Sequence, residues 1–239
     1  MDFTLEVWGD FACFTIPPVG KVERFSYPVI TPSAARSLFD AIYWKPYFRW
    51  QVTQIEVLKM PRYIALMRNE VKEKAPSEKT ILNWAEGRSE PKAIFADEPS
   101  ESTGRTQRQT MALRDVHYRI SARVHLWQPD HMLLKKIEGC FERRARAGQC
   151  LYQPYLGCRE FAAYFRLVED ETQEPPADFS EKIGIMLYDV FDLSRPGAKT
   201  DTPFITVFDA EMKRGVLKVP PYEDHRVFKP IQMKGEQQC

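Results

Sequence analysis

The stretch DVHYRISARVHL, Asp115 to Leu126, alternates without a break: Val116, Tyr118, Ile120, Ala122, Val124 and Leu126 fall on one face, Asp115, His117, Arg119, Ser121, Arg123 and His125 on the other. A period of two is the mark of a strand, so one face of this segment is core and the other polar and cationic. Downstream, Leu133, Ile137, Cys140 and Phe141 recur at helical spacing, with Arg143, Arg144 and Arg146 on the far side and Gly148 as a helix-ending residue. The helix is followed by LYQPYLGCREFAAYFRLVE, which ends in a further alternating run, Phe161, Ala163, Phe165 and Leu167.

Upstream, residues 68–104 are polar and irregular, which predicts an insertion or mobile loop rather than core. FRWQVTQIEVLK, Phe48 to Lys59, is rich in β-branched and aromatic residues and predicts a strand. Before it, Thr31-Pro32 supplies an N-cap and a proline at the first helical turn, and Ala34, Ala35, Leu38, Phe39 and Ile42 continue a helix that Pro46 ends by Lys45. Phe3, Leu5 and Val7 alternate with polar or half-polar neighbours up to Gly9-Asp10, a first strand. The order strand, helix, strand, strand, helix, strand predicts an α+β fold with a ferredoxin-like (RRM-like) domain over 1–168. The acidic stretch Glu169 to Glu181, with Pro175-Pro176, reads as a solvated linker, and IGIMLYDVFDL, FITVFDAEM and GVLKVP predict an antiparallel β-rich C-terminal region over 180–230.

A chain of 239 residues, 44% hydrophobic and 28% charged, has the composition of a globular protein, with no apolar run long enough for a bilayer and no signal-peptide pattern at its start. These features predict a cytoplasmic protein without a membrane partner. Five cysteines with no CxxC pair suggest neither a disulfide framework nor a zinc site. The net charge of +1 hides an uneven distribution: Arg105 to Arg146 holds ten Lys/Arg against four Asp/Glu, a local excess of six. Arg105, Arg108, Arg119, Arg123, Arg143, Arg144 and Arg146 are therefore the expected phosphate contacts, which points to nucleic acid.

Cutting RNA without a metal takes a base for the 2′-hydroxyl, an acid for the leaving 5′-oxygen and positive charge for the phosphorane, all near one phosphate. No HxxxH, HD or DxD pairing suggests a metal centre, so no cofactor or metal is expected. His117 is the acid/base candidate because an imidazole titrates near working pH and this one sits on the polar face beside Arg119 and Arg123, although a solvated surface histidine is the commoner case. Tyr43 more often packs than reacts, and Lys45 and Arg114 are charges that can neutralise a phosphate. Tyr152, Tyr155 and Phe161 either stack bases or fill core.

The segments DFACFTIPPVGKVERFSYPVITPSAARSLFDAIYWKP (10–46), FRWQVTQIEVLK (48–59), MRNEV (67–71), TMALRDVHYRI (110–120) and RRARAGQCLYQPYLGCREF (143–161) resemble, in order and along nearly the whole chain, the Cas-five family in its subtype I-C branch. The resemblance implies a ferredoxin-like N-terminal domain, a C-terminal sheet region and metal-independent cleavage of CRISPR precursor RNA at the 3′ base of each repeat hairpin. It also implies retention of the crRNA 5′ handle within the type I-C Cascade complex. The family's catalytic tyrosine falls on Tyr43 in IYWKP and its histidine on His117 in RDVHY. The family lysine beside that histidine is replaced by Val116, so its role passes to Arg114 or Lys45. The expected partners are repeat RNA and other Cascade subunits, with DNA left open. A non-catalytic scaffold that only grips the handle is the alternative. A small-molecule enzyme is disfavoured by the local positive excess and the lack of a Gly-rich phosphate cradle.

Overall fold

The computed structural model describes residues 1–17, 23–93, 104–169 and 174–230. Pro18, Asp170, Glu171, Cys239 and residues 94–103 of the expected insertion lie outside them. The elements in chain order are β1 (Asp2–Ala12), β2 (Arg24–Phe25), α1 (Pro32–Ile42), β3 (Phe48–Val57), β4 (Arg62–Val71), α2 (Glu78–Ala85), β5 (Arg105–Leu126), α3 (His131–Arg146), β6 (Tyr164–Leu167), β7 (Glu181–Asp189), β8 (Thr206–Lys213), β9 (Val216–Lys218) and β10 (Val227–Phe228). The protein is α+β and mostly antiparallel sheet. Two compact units divide it: residues 1–64 with 111–239, and residues 65–110.

In the larger unit the sheet runs β10-β8-β9-β3-β5-β1-β6. β5 is flanked by β1, with Trp8 opposite His117, and by β3, with Phe48 opposite Leu126 and Val57 opposite Tyr118. The alternation in the quoted strand decides its orientation: Val116, Tyr118, Ile120 and Ala122 are buried. Their face is covered by α1 and α3, whose apolar sides meet it at an aromatic nucleus in which Phe141 touches Phe3, Phe39 and Trp50 at ring separations of 5.0, 5.6 and 4.5 Å. α1 begins as its sequence requires, with the Thr31 hydroxyl accepting from Ala34 N at 3.3 Å and proline next in line. α3 is capped by Asp130 and closes on Ala147, with Gly148 at φ +65°.

The LGCREF motif has a backbone reason. Gly157 sits at φ +82°, and a Cβ there would lie 2.1 Å from the Cys13 carbonyl oxygen, so only glycine lets this loop close on the end of β1. Cys13 N donates to Leu156 O at 3.0 Å, and Arg24 donates to Cys158 Sγ at 3.2 Å, completing the junction.

The smaller unit corrects the expectation of an irregular loop. β4 and the start of β5 pair there, Arg68 Nε donates to Thr110 Oγ1 at 2.8 Å, and α2 is capped by Ser77. The apolar pattern that marks buried elements is missing because these elements bury little: β4 is partly or fully exposed along its length and α2 has no buried residue. Among the described residues no helix is long and apolar enough to cross a membrane.

Candidate active site

Alternation predicts a cationic open face on β5, and the structure places acids against it. Arg119 is 6% exposed and pairs with Glu56 at 2.6 Å while also donating to the Glu174 carbonyl at 3.0 Å. Arg123 pairs with Asp2 at 3.1 Å. His117 Nε2 lies 2.6 Å from Glu6 Oε1, and Arg166 grips the other oxygen of the same carboxylate at 2.7 Å. Burial opposes the Glu6 charge, but Arg166 and His117 outweigh it and hold the carboxyl below its ordinary value. With Lys59 and Trp8 these groups line a cavity of about 300 Å³. Arg114 is exposed one residue before Asp115, which Lys59 pairs at 2.9 Å.

Tyr43 stands elsewhere. It caps α1, its N–H bonded to Phe39 O at 3.0 Å and its carbonyl accepting from Trp50 Nε1 at 2.9 Å, and its ring stacks on Phe48 at 6.0 Å. Phe48, on which Tyr43 stacks, pairs with Leu126, nine positions along β5 from His117, about 30 Å of strand at roughly 3.3 Å per residue. Tyr43 and His117, the two expected catalytic residues, are thus well separated along β5. The separation arises because β5 is long: His117 lies near its middle, whereas the start of β3, beside Tyr43, pairs with its C-terminal end.

Around Tyr43 is a different set of cations. The Arg144 guanidinium lies 5.8 Å from the ring centre and donates to Ile42 O at 2.8 Å. Burial, followed by the neighbouring Tyr47 and Cys140, pushes the phenol's pKa up to about 12. Cys140 belongs to α3, where positions four apart share a face, so Lys136 and Arg144 flank it on the stripe facing Tyr43. Lys45 is exposed two residues beyond. Arg143 is exposed on the last turn of α3, and Arg146 is bound by Glu142 and Glu169 at 2.9 and 2.5 Å. Arg105 is exposed in the smaller unit, where Arg108 pairs with Glu70 at 3.1 Å.

Sequence reasoning missed Lys136, counted only as charge, and His125. His125 lies at Tyr43's end of β5, opposite Arg49, and lines a groove of about 550 Å³ with Arg123, Gln51 and Lys218. Burial first, then Arg49, depresses its pKa and favours the neutral imidazole. The helical spacing of Lys136 to Cys140 was readable; what Cys140 touches was not.

These features define a class: an α+β protein built on an antiparallel sheet, with one sheet face under helices and cations gathered where the helices end. The chain belongs to the CRISPR-associated protein family Cas_Cas5, whose Cas5d model matches residues 3–221, in keeping with the subtype I-C branch. It is 39% identical over 226 residues to a curated "CRISPR pre-crRNA endoribonuclease Cas5d" from Mannheimia succiniciproducens, covering 91% of this chain and 94% of the relative. It is 36% identical over 241 residues to the protein of the same name from Thermus thermophilus, covering 94% of each. Two solved structures share the fold: a CRISPR-associated protein (TM-score 0.60, 23% identity, 95% and 96% of the two chains) and a functionally uncharacterized protein from Streptococcus mutans (TM-score 0.60, 20% identity, 95% and 97%).

Proposed function

We propose that this chain is an endoribonuclease that cuts CRISPR precursor RNA at its repeats without a metal and remains on the crRNA 5′ handle as a cytoplasmic subunit of the type I-C Cascade complex. The carrying observation is identity of 39% and 36%, over more than nine-tenths of both chains, to two curated pre-crRNA endoribonucleases. We read residues 1–168 as a ferredoxin-like domain: the path β1-α1-β3-β5-α3-β6 with sheet order β3-β5-β1-β6 supports a split βαβ arrangement.

The reacting phosphate sits beside Tyr43. With its pKa pushed up to about 12, the phenol stays neutral at working pH, so it donates a hydrogen bond rather than removing a proton. From there it orients the 2′-hydroxyl in line with the 5′-oxygen, while Lys45, Lys136 and Arg144 neutralise the phosphorane. The 2′-hydroxyl gives its proton to solvent water as its oxygen attacks phosphorus, the bond to the 5′-oxygen breaks and that oxygen takes up a proton from water, and the products are a 2′,3′-cyclic phosphate and a 5′-hydroxyl. His117 and Arg114, at the other end of the sheet, have no part at that phosphate.

Incubating the purified protein with a repeat RNA in EDTA tests this directly. Cleavage leaving a cyclic phosphate is expected. Tight binding with no cleavage would instead make the chain a scaffold, and activity that returns only with magnesium would sink the metal-free chemistry.

A further inference from the structure

Beginning at the residue after Tyr43, Trp44, Trp127, Tyr152 and Phe191 enclose a cavity of about 360 Å³ with Asp40 and Arg49 among its other lining residues. Trp44, Tyr152 and Phe191 are 48%, 47% and 56% exposed, an unusual cluster of large rings left in water. Below them the polar groups are buried and charged. Arg36 joins Asp40 and Asp189 at 2.5 and 2.8 Å, and Arg49, 3% exposed, lies 5.8 Å over the Trp127 ring. Of the three buried side-chain nitrogen or oxygen atoms without a hydrogen-bond partner among the described residues, two are Asp40 Oδ1 and Arg49 Nε. One is an acceptor and the other a donor, and each is costly to leave unmade.

We propose that this cavity holds one unstacked nucleobase of the repeat RNA, its faces against Trp44 and Phe191 and its edge hydrogen-bonded to Asp40 Oδ1 and Arg49 Nε. The inference rests on the RNA-cleaving reading above and adds a base-recognition site to it. Three arguments select a base. The volume is that of a small-ligand site, about 300 Å³ or more, too small for a folded partner. The lining includes three arginines and three aspartates, a balance that does not attract a bare phosphate. An aliphatic side chain would bury the two orphan atoms without pairing them, whereas every base carries a stacking face together with donors and acceptors on its edge. The position also fits: Trp44 follows Tyr43 in the chain, so a base flipped into the cavity fixes the nucleotide register beside the phenol.

The test places 2-aminopurine at each single-stranded position of the repeat RNA in turn and follows its fluorescence on binding to the full chain. One position should change strongly. A Trp44→Ala, Phe191→Ala double variant should abolish that change and weaken binding about 5- to 150-fold, the range for one lost base stack. Both side chains are half exposed, and an unchanged melting temperature checks that the variant is folded. An abasic nucleotide at the responding position should weaken wild-type binding by a similar factor and the variant's hardly at all. If wild type neither binds nor cuts the RNA, the functional reading fails and the cavity proposal with it. If it cuts but no position responds, or the abasic and variant losses multiply, only the cavity proposal is overturned. The cavity proposal is likewise overturned if the variant binds RNA normally but no longer assembles with the other complex subunits.

Discussion

A tyrosine hydroxyl held neutral by burial and by its neighbours leaves a signature in pH dependence. Tyr43 has its pKa raised to about 12, so its protonation does not change between pH 6 and 9. The 2′-hydroxyl proton then goes to solvent, and the single-turnover rate should climb steadily across that range. An imidazole acting as base would level it off above about pH 6.5, and such a plateau would contradict the assignment. Asp40 gives a second residue-level prediction. Burial, opposed by Arg36 and assisted by Asp189, raises its pKa from 3.8 to about 6. The folded state therefore holds this proton more tightly than the unfolded chain, and its contribution to stability is lost as pH rises from about 4 through about 6. Asp40→Asn should gain stability relative to wild type over that window, read as diverging urea midpoints, and a difference constant with pH would rule this out. At this scale IYWKP drew attention to Tyr43, but nothing in the sequence pointed to Lys136, which we propose because it lies one helical turn from Cys140, a neighbour of Tyr43.

The C-terminal end of α3 carries the arginines we propose as phosphate contacts. Arg143 is exposed there, whereas Arg146 is tied to Glu142 and Glu169, so the two arginines differ in what they can offer an RNA. Arg143→Ala should flatten the dependence of log affinity on log salt by roughly 0.7, the value for one single-strand phosphate contact, and Arg146→Ala should change it less. Equal slopes in wild type and Arg143→Ala would mean that this face meets bulk water. Gly157 is a test of the loop that follows. With φ at +82° and the Cys13 carbonyl oxygen 2.1 Å from where a Cβ would stand, Gly157→Ala should destabilise the protein by at least roughly 1–3 kcal/mol from backbone conformation alone. A melting temperature equal to wild type would show that the loop can shift. The longer strands and the helices of the larger unit were legible because each buries one face, as in β5, α1 and α3, whereas the two-residue strands β2 and β10 are too short to show a pattern. β4 and α2 were not, since elements that bury almost nothing carry no apolar period.

For the whole molecule, the sheet order is what assigns the chemistry. β5 spans 22 residues, and the two motifs that sequence reasoning joined into one site lie nine positions apart along it. Neither residue's own pattern reveals this, because distance along a strand becomes distance in space only when the register of β3 against β5 is known. The cations near Tyr43 come from α1's exit and from α3, whereas those near His117 come from β5, from β6 and from Lys59 just past β3, and are balanced there by Glu6 and Asp115. Single-turnover cleavage of a repeat RNA in EDTA, compared for wild type, Tyr43→Phe and His117→Ala at saturating protein, separates the two ends. Loss of the hydrogen bond that orients the 2′-hydroxyl should slow Tyr43→Phe on the order of 10²-fold with RNA affinity retained, and His117→Ala should cleave near the wild-type rate. A wild-type rate in Tyr43→Phe together with a collapsed rate in His117→Ala would contradict the account and move the reacting phosphate to the other end of the sheet.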